Sequence, residues 1–287
     1  MNEKVIDIIK AISIIILLTI LNIYLPFFSL FVLIVWPIPV VTTFIKHGAR
    51  SAAIVITITA LINGIFFSPL MGLFSVIGFG FIAFVLASSV EEDFSPLKTI
   101  IFTILAVFIS QMLILGISSY FLSYDINQML DESMELLLKT PQVDEMILTQ
   151  LKSLIKSVIP AIIFITSTLV GIMNYYISLW YINSRGIKNK EIYKAVRLWT
   201  FPKWIISLGI LITMLFSKNT VLLNINIVLF FFAFFQGFSV GFYYVNKKGN
   251  LILKMLYVLM IFIVPLLPFA LILVGLLDMW FNFRKIK

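Results

Sequence analysis

The stretch Lys98–Ser123, KTIIFTILAVFISQMLILGISSYFLS, carries no charged residue after its first position. A helix rising about 1.5 Å per residue needs about 20 apolar residues to cross roughly 30 Å of hydrocarbon, so this run is long enough to span a membrane. Comparable runs lie near residues 6–24, 27–45, 51–67, 70–90, 158–181, 203–217, 221–245 and 251–281. The predicted fold is all-α, a polytopic transmembrane helix bundle of about 8–10 membrane segments.

Composition agrees. Of 287 residues, 61% are hydrophobic and 12% charged, whereas a soluble domain has about a quarter of its residues charged. Mean hydropathy is +1.11. Soluble-enzyme, DNA-binding and disordered-chain readings fall on these numbers. The chain has no cysteine, which excludes disulfides, thiolate nucleophiles and Cys-ligated metals, and its single histidine, His47, excludes any site built on two imidazoles. No cofactor, metal centre or enzymatic activity is expected.

Basic residues set the orientation. With the N-terminus in the cytoplasm and each run crossing once, fourteen Lys and Arg fall inside before the tail is counted; among them are Lys46, Arg50, Arg185, Lys194, Arg197, Lys203 and Lys247. Only Lys139, Lys152, Lys156 and Lys218 fall outside. The tail, Arg284-Lys285-Ile286-Lys287, favours the inside as well. That placement requires the run 251–281, interrupted by Pro265-Leu266-Leu267-Pro268, to return as a tight or re-entrant hairpin; a single kinked span with the tail outside is the alternative. The N-terminal run lacks a small-residue cleavage site and is expected to remain as a span rather than be removed as a signal peptide. The net charge of +8 then reflects topology and attraction to anionic lipids at the cytoplasmic face, and no nucleic-acid partner is expected.

Polar features are few. The segment 124–157 reads as an outer amphipathic hairpin, with Ile126, Met129, Leu130, Met134 and Leu137 on one side and Asp131, Glu132 and Glu135 on the other. Thr140-Pro141 opens its second helix, which is expected to kink at Pro160. It reads as a lid over a pocket or as an interfacial helix pair. The segment 185–202 interleaves Ile192, Val196, Trp199 and Phe201 with Lys194 and Arg197, as an interfacial anchor or a docking surface for a cytoplasmic partner would. Within the bilayer, ionisable groups are nearly absent. Asp278 and Lys254 lie near enough to an interface to snorkel or to pair with the tail. This argues against a carboxylate proton relay and against an intramembrane protease.

The spans do hold neutral amides, at Asn22, Asn63, Gln111, Asn174, Asn226 and Gln236. An amide in hydrocarbon needs partners, so each is either interhelical glue or a contact for a ligand. Asn63, Gln111, Asn174 and Gln236 lie deepest and are the candidate ligand-binding residues, for a small neutral or zwitterionic molecule. Gly72, Gly78 and Gly80, and the GxxxG pair Gly237 and Gly241, mark close helix contacts. Trp36-Pro37-Ile38-Pro39 removes two backbone donors in mid-span, which is tolerated only inside protein or beside a cavity.

Trp36-Pro37-Ile38-Pro39 with Gly48-Ala49-Arg50, then Arg197-Leu198-Trp199-Thr200-Phe201-Pro202-Lys203-Trp204, then Gln236-Gly237, and finally Gly275-Leu276-Leu277-Asp278-Met279-Trp280-Phe281-Asn282-Phe283-Arg284 together resemble the YybS family of bacterial membrane proteins. The N-terminal half is in turn similar to the substrate-binding (S) components of energy-coupling-factor transporters and to the cell-shape scaffold MreD. The resemblance implies an S-component-like six-helix bundle over 1–184, a cytoplasmic basic amphipathic linker over 185–202 and added C-terminal transmembrane helices over 203–287. It implies a ligand near the outer face, with the hairpin as its lid. One departure is that Ala11 is followed four positions later by Ile15, where many S components carry a second alanine for docking their coupling subunit. Two functions follow. One is a small-molecule binding or transport component of the bacterial cell membrane; the other is a non-transporting, MreD-like scaffold with a membrane or cytoplasmic protein partner.

Overall fold

The computed structural model describes residues 2–122, 128, 130–133, 145–215 and 219–286. The helix-opening pair Thr140-Pro141 and most of the expected hairpin's first arm lie outside the described residues. Among the described residues the structure is mostly helical, and the apolar runs of the sequence lie on helices, some of them interrupted.

Helix α1 (Glu3–Tyr24) is capped by Asn2, whose side chain accepts from Lys4 N, and it ends before Pro26. The second run is two helices, α2 (Ser29–Val35) and α3 (Pro37–His47), meeting at Trp36. Trp36 keeps helical dihedrals and Pro37 takes the first position of α3, where its missing N–H costs least. Gly48, at φ 81°, turns the chain into α4 (Ala49–Phe66). Ser68 caps α5 (Pro69–Phe74), which continues through a π-helical turn at Ser75–Gly80 into α6 (Phe81–Glu91) as one apolar span. Helices α7 (Pro96–Leu122) and α8 (Glu145–Ser184) follow, the latter with Pro160 inside it. The rest of the chain forms α9 (Lys203–Leu215), α10 (Thr220–Lys247), α11 (Leu251–Ile263) and α12 (Leu267–Phe281).

Among the described residues six helices are long and apolar enough to cross a membrane; α11 and α12 form a pair bent by 113°, and two shorter apolar helices cover Phe31–His47 and Lys203–Leu215. The protein is a multi-pass membrane protein built as a helical bundle.

The chain divides into two compact units, residues 1–144 with 166–193 and residues 145–165 with 194–287. In the first, Ile82, Ala106, Val107 and Val170 form a buried cluster, with Leu33 and Val85 against it. Trp36, 1% exposed, stacks on Phe79 at 4.9 Å. A Cβ at Gly72 would sit 2.6 Å from Ala60 O, and one at Gly80 equally close to Ile56, so these glycines set the approach of the fourth span to α4. In the second unit, Ile206, Ile210 and Ala233 form the core, covered by Phe201, Leu229 and Phe232.

Asparagines bond to the backbone beside two of the prolines, Pro37 at the junction of α2 and α3 and Pro160 inside α8. Pro37 has no N–H for Leu33 O, and Asn174, with its amide turned to suit its neighbours, brings Nδ2 to 3.2 Å from both Leu33 O and Ile34 O. Next to Pro160, Asn224 Oδ1 accepts from Ala161 N at 2.8 Å, and its Nδ2 donates to Ser157 O at 2.7 Å. One side chain thus stands in for the two halves of a helical hydrogen bond. A buried carbonyl or N–H without a partner costs about 1–3 kcal/mol, so Asn174→Leu and Asn224→Leu are each expected to lower unfolding stability by that amount. Thermal unfolding in detergent reads this, and the leucine keeps the volume constant while deleting the bonds.

Candidate functional site

In the first unit, a cavity of about 210 Å³ opens toward the C-terminal end of α1. Asn22 from α1, Ser110 and Gln111 from α7, and Gly78 and Phe79 from the π-helical turn line it, against an otherwise apolar wall. A small void shares Asn22 and Phe79 with it and reaches inward to Thr19, Trp36 and Ser75.

The π turn shapes this wall. Phe81 N reaches back five residues to Val76 O, and Ser110 Oγ on α7 donates to Ile77 O at 2.7 Å. Such single π turns recur at functional sites because they shift the register of side chains and carbonyls along a helix. Behind the void, Asn63 is fully buried. Its Nδ2 donates to Ser75 Oγ at 2.8 Å and to Thr19 Oγ1 at 3.3 Å, while its Oδ1 is buried without a partner. Gln111 Oε1 accepts from Thr166 Oγ1 and Ser167 Oγ, each at 3.2 Å. Its Nε2, and the whole amide of Asn22, have no hydrogen-bond partner among the described residues. Two amides with unused donors therefore face one mostly apolar cavity. That combination suits an uncharged polar or zwitterionic guest; no ionised side chain lines this wall.

The second unit holds a buried polar node. Asp278, 3% exposed, and Arg284, 4% exposed, form an ion pair with Arg284 Nη2 at 2.8 Å from Asp278 Oδ2. Gln236 Nε2 donates to the same carboxylate oxygen at 2.6 Å, and Gln236 Oε1 accepts from Phe201 N at 3.1 Å. Arg284 also donates to Arg197 O, Trp199 O and Ser239 Oγ, at 2.7, 2.8 and 2.6 Å. The guanidinium thereby ties the tail to the segment 197–199 and to α10. Tyr244 Oη donates to Phe283 O at 2.9 Å, so the tail ends beside the C-terminal end of α10, the end from which α11 departs. The pair α11–α12, bent by 113°, thus brings the tail back beside the start of α11, the return that the hairpin reading requires. Trp199, 8% exposed, packs on Phe201 and Phe235, so these two apolar residues of the segment 185–202 turn into the protein.

The four deep amides are therefore not gathered at one place. Asn63, Gln111 and Asn174 belong to the first unit and Gln236 to the second. Gln111 lines the cavity; Asn63 stands behind the adjoining void through Thr19 and Ser75; Asn174 serves the α2–α3 break; Gln236 serves the ion-pair node. Asn22 lines the cavity although it is not among the deepest amides. The node was visible in sequence only as Asp278 within reach of the tail, and pairing with the tail is what Asp278 does.

The helices and their apolar lengths define a multi-pass membrane protein. The chain belongs to the family described as "Predicted membrane protein (DUF2232)", whose model matches residues 12–279. The resemblance to the YybS family fits this membership. Comparisons with curated proteins and with solved structures gave no match.

Proposed function

We propose that the protein is a small-molecule-binding component of the bacterial cell membrane, resembling S components, with its N-terminus in the cytoplasm. In that orientation the cavity at the C-terminal end of α1 faces the outer half of the bilayer. The observation that carries this reading is the pairing of Asn22 and Gln111, with unused amide donors, across a cavity of about 210 Å³. Both amides are part-buried with donors free among the described residues, so a guest in the cavity can take them up. The ligand class is neutral or zwitterionic and small, a single ring or a short chain in size.

Coupling through the face used by many S components is not part of this proposal. Ala11 and Ile15 are 4% and 0% exposed, turned into the protein's own bundle. The protein then captures its ligand alone or hands it to a partner by another surface.

The test is a thermal-shift screen of the detergent-purified protein against neutral and zwitterionic metabolites, including amino acids, nucleosides and vitamins. A hit is expected to lose affinity by about threefold to tenfold in Gln111→Ala or Asn22→Ala, the value of one hydrogen bond, with the ligand-free melting temperature little changed in Asn22→Ala and lowered in Gln111→Ala, which also gives up its bonds from Thr166 and Ser167. A hit that binds both variants as it binds the wild type places the site elsewhere. Co-purification of a stoichiometric protein with no small-molecule binding supports the MreD-like scaffold instead.

A further inference from the structure

A second concavity, of about 480 Å³, lies in the first unit at the other end of α1, where α1 and α3 run side by side. Its lining is graded. Asp7, Lys10, Thr42, Thr43 and Lys46 stand at one end, and Ile14, Val35 and Ile38 at the other. The antiparallel register that produces this gradient is fixed by Asp7, whose Oδ2 meets Lys46 Nζ at 3.2 Å and His47 Nε2 at 3.0 Å. That carboxylate is already engaged by two neighbours. Lys10 is exposed and has no acidic partner among the described residues. Tyr181 also lines the cleft, and one turn further along the chain the Arg185 guanidinium lies 5.6 Å from the Tyr181 ring centroid, with no acidic partner among the described residues. Thr42 Oγ1 in the wall is buried with no hydrogen-bond partner.

We propose that this cleft is a binding site for one anionic phospholipid of the leaflet that holds the start of α1. The phosphate sits among Lys10, Lys46 and Arg185, and an acyl chain follows Ile14, Val35 and Ile38 between the two helices. Lys10 and Lys46 in the lining, with Arg185 one turn beyond Tyr181, outnumber the single carboxylate and give the polar end a net positive charge, which a headgroup of net negative charge neutralises and a zwitterionic one does not. The volume falls in the range of specific ligand sites. The apolar end distinguishes this from general attraction of a basic surface, because it takes a chain as well as a charge. By the positive-inside rule the leaflet is the cytoplasmic one.

The test uses the full-length, delipidated protein in detergent, with bound lipid counted by native mass spectrometry. Phosphatidylglycerol is expected to bind as a single tight adduct, phosphatidylcholine with the same chains to bind weakly, and millimolar inorganic phosphate to leave the adduct in place. Each cation near a membrane surface is worth about 1 kcal/mol, so Lys10→Gln and Arg185→Gln should each weaken phosphatidylglycerol binding roughly fivefold. Both side chains are exposed and have no acidic partner among the described residues, and the fold should survive their loss. Ile14→Trp, which fills the apolar end, should abolish lipid binding with the cations intact; if that variant fails to fold, the two surface variants decide. Equal binding of the two lipids, unchanged binding in Lys10→Gln, or displacement by free phosphate would each overturn the proposal, the last by making the cleft a phosphate site.

Discussion

Replacing Arg284 by alanine is expected to cost about 3–5 kcal/mol of stability. The guanidinium neutralises Asp278 and donates to two carbonyls of the segment 197–199 and to Ser239 Oγ. Its removal leaves a buried carboxylate held by Gln236 alone, with several acceptors bare. Water does not reach the side chains, which are 0% and 1% exposed, so little compensation is at hand. A buried pair is not automatically stabilising relative to apolar residues, however, because its desolvation offsets much of the attraction. The double variant Arg284→Met with Asp278→Leu should therefore recover a large part of the loss, while loosening the tail from 197–199. Unfolding in detergent reads the first effect and limited proteolysis of the tail reads the second. Wild-type stability in Arg284→Ala would show that the node is decorative.

The second large effect is expected at Gly237 and Gly275, where α10 and α12 meet backbone to backbone. A Cβ on Gly237 would run into the carbonyl of Leu271, and one on Gly275 into the carbonyl of Ala233 and the amide of Gly237. Backbone atoms inside two packed helices cannot rotate away as a side chain can, so the helices must part. Their separation pulls on the same interface that holds Gln236 and Asp278, both nearly fully buried. Gly237→Ala and Gly275→Ala should each cost 1–3 kcal/mol or more by overpacking, roughly the upper part of that range because the obstacle is backbone. Gly116→Ala in α7 is the control. Nothing lies within 4 Å of its added Cβ, and removing a helical glycine should stabilise by roughly 0.5–1 kcal/mol. If all three variants melt alike, the close approach of α10 and α12 is not what holds the second unit together.

The spans were legible because apolar length is a local property. Lys98–Ser123 needs no partner to be read as membrane-spanning, and α7 occupies nearly the same residues. The Trp36-Pro37-Ile38-Pro39 break was legible for the same reason, and α2 ends and α3 begins there. What repairs the break was not legible. Asn174 lies more than a hundred residues away, and nothing in its own neighbourhood distinguishes it from Asn63 or Gln111. The node of Gln236, Asp278 and Arg284 joins residues on both sides of the Pro265–Pro268 turn, so it depends on the hairpin that the charge count favoured but did not fix. The π turn at Ser75–Gly80 has no sequence signature beyond its glycines, yet it is the turn that puts Phe79 and Gly78 on the cavity wall. The sequence therefore showed which residues are polar in an apolar setting. It did not show which of them spend that polarity on one another and which keep it free.

The most direct test of the binding reading is to purify the full-length protein in mild detergent, extract it under denaturing conditions and search the extract for small molecules by mass spectrometry, with Gln111→Ala prepared in parallel. The account predicts a neutral or zwitterionic compound near one equivalent per chain in the wild type and depleted in the variant. A compound equally abundant in both, or a wild-type extract with only lipid and a stoichiometric protein partner, would contradict it.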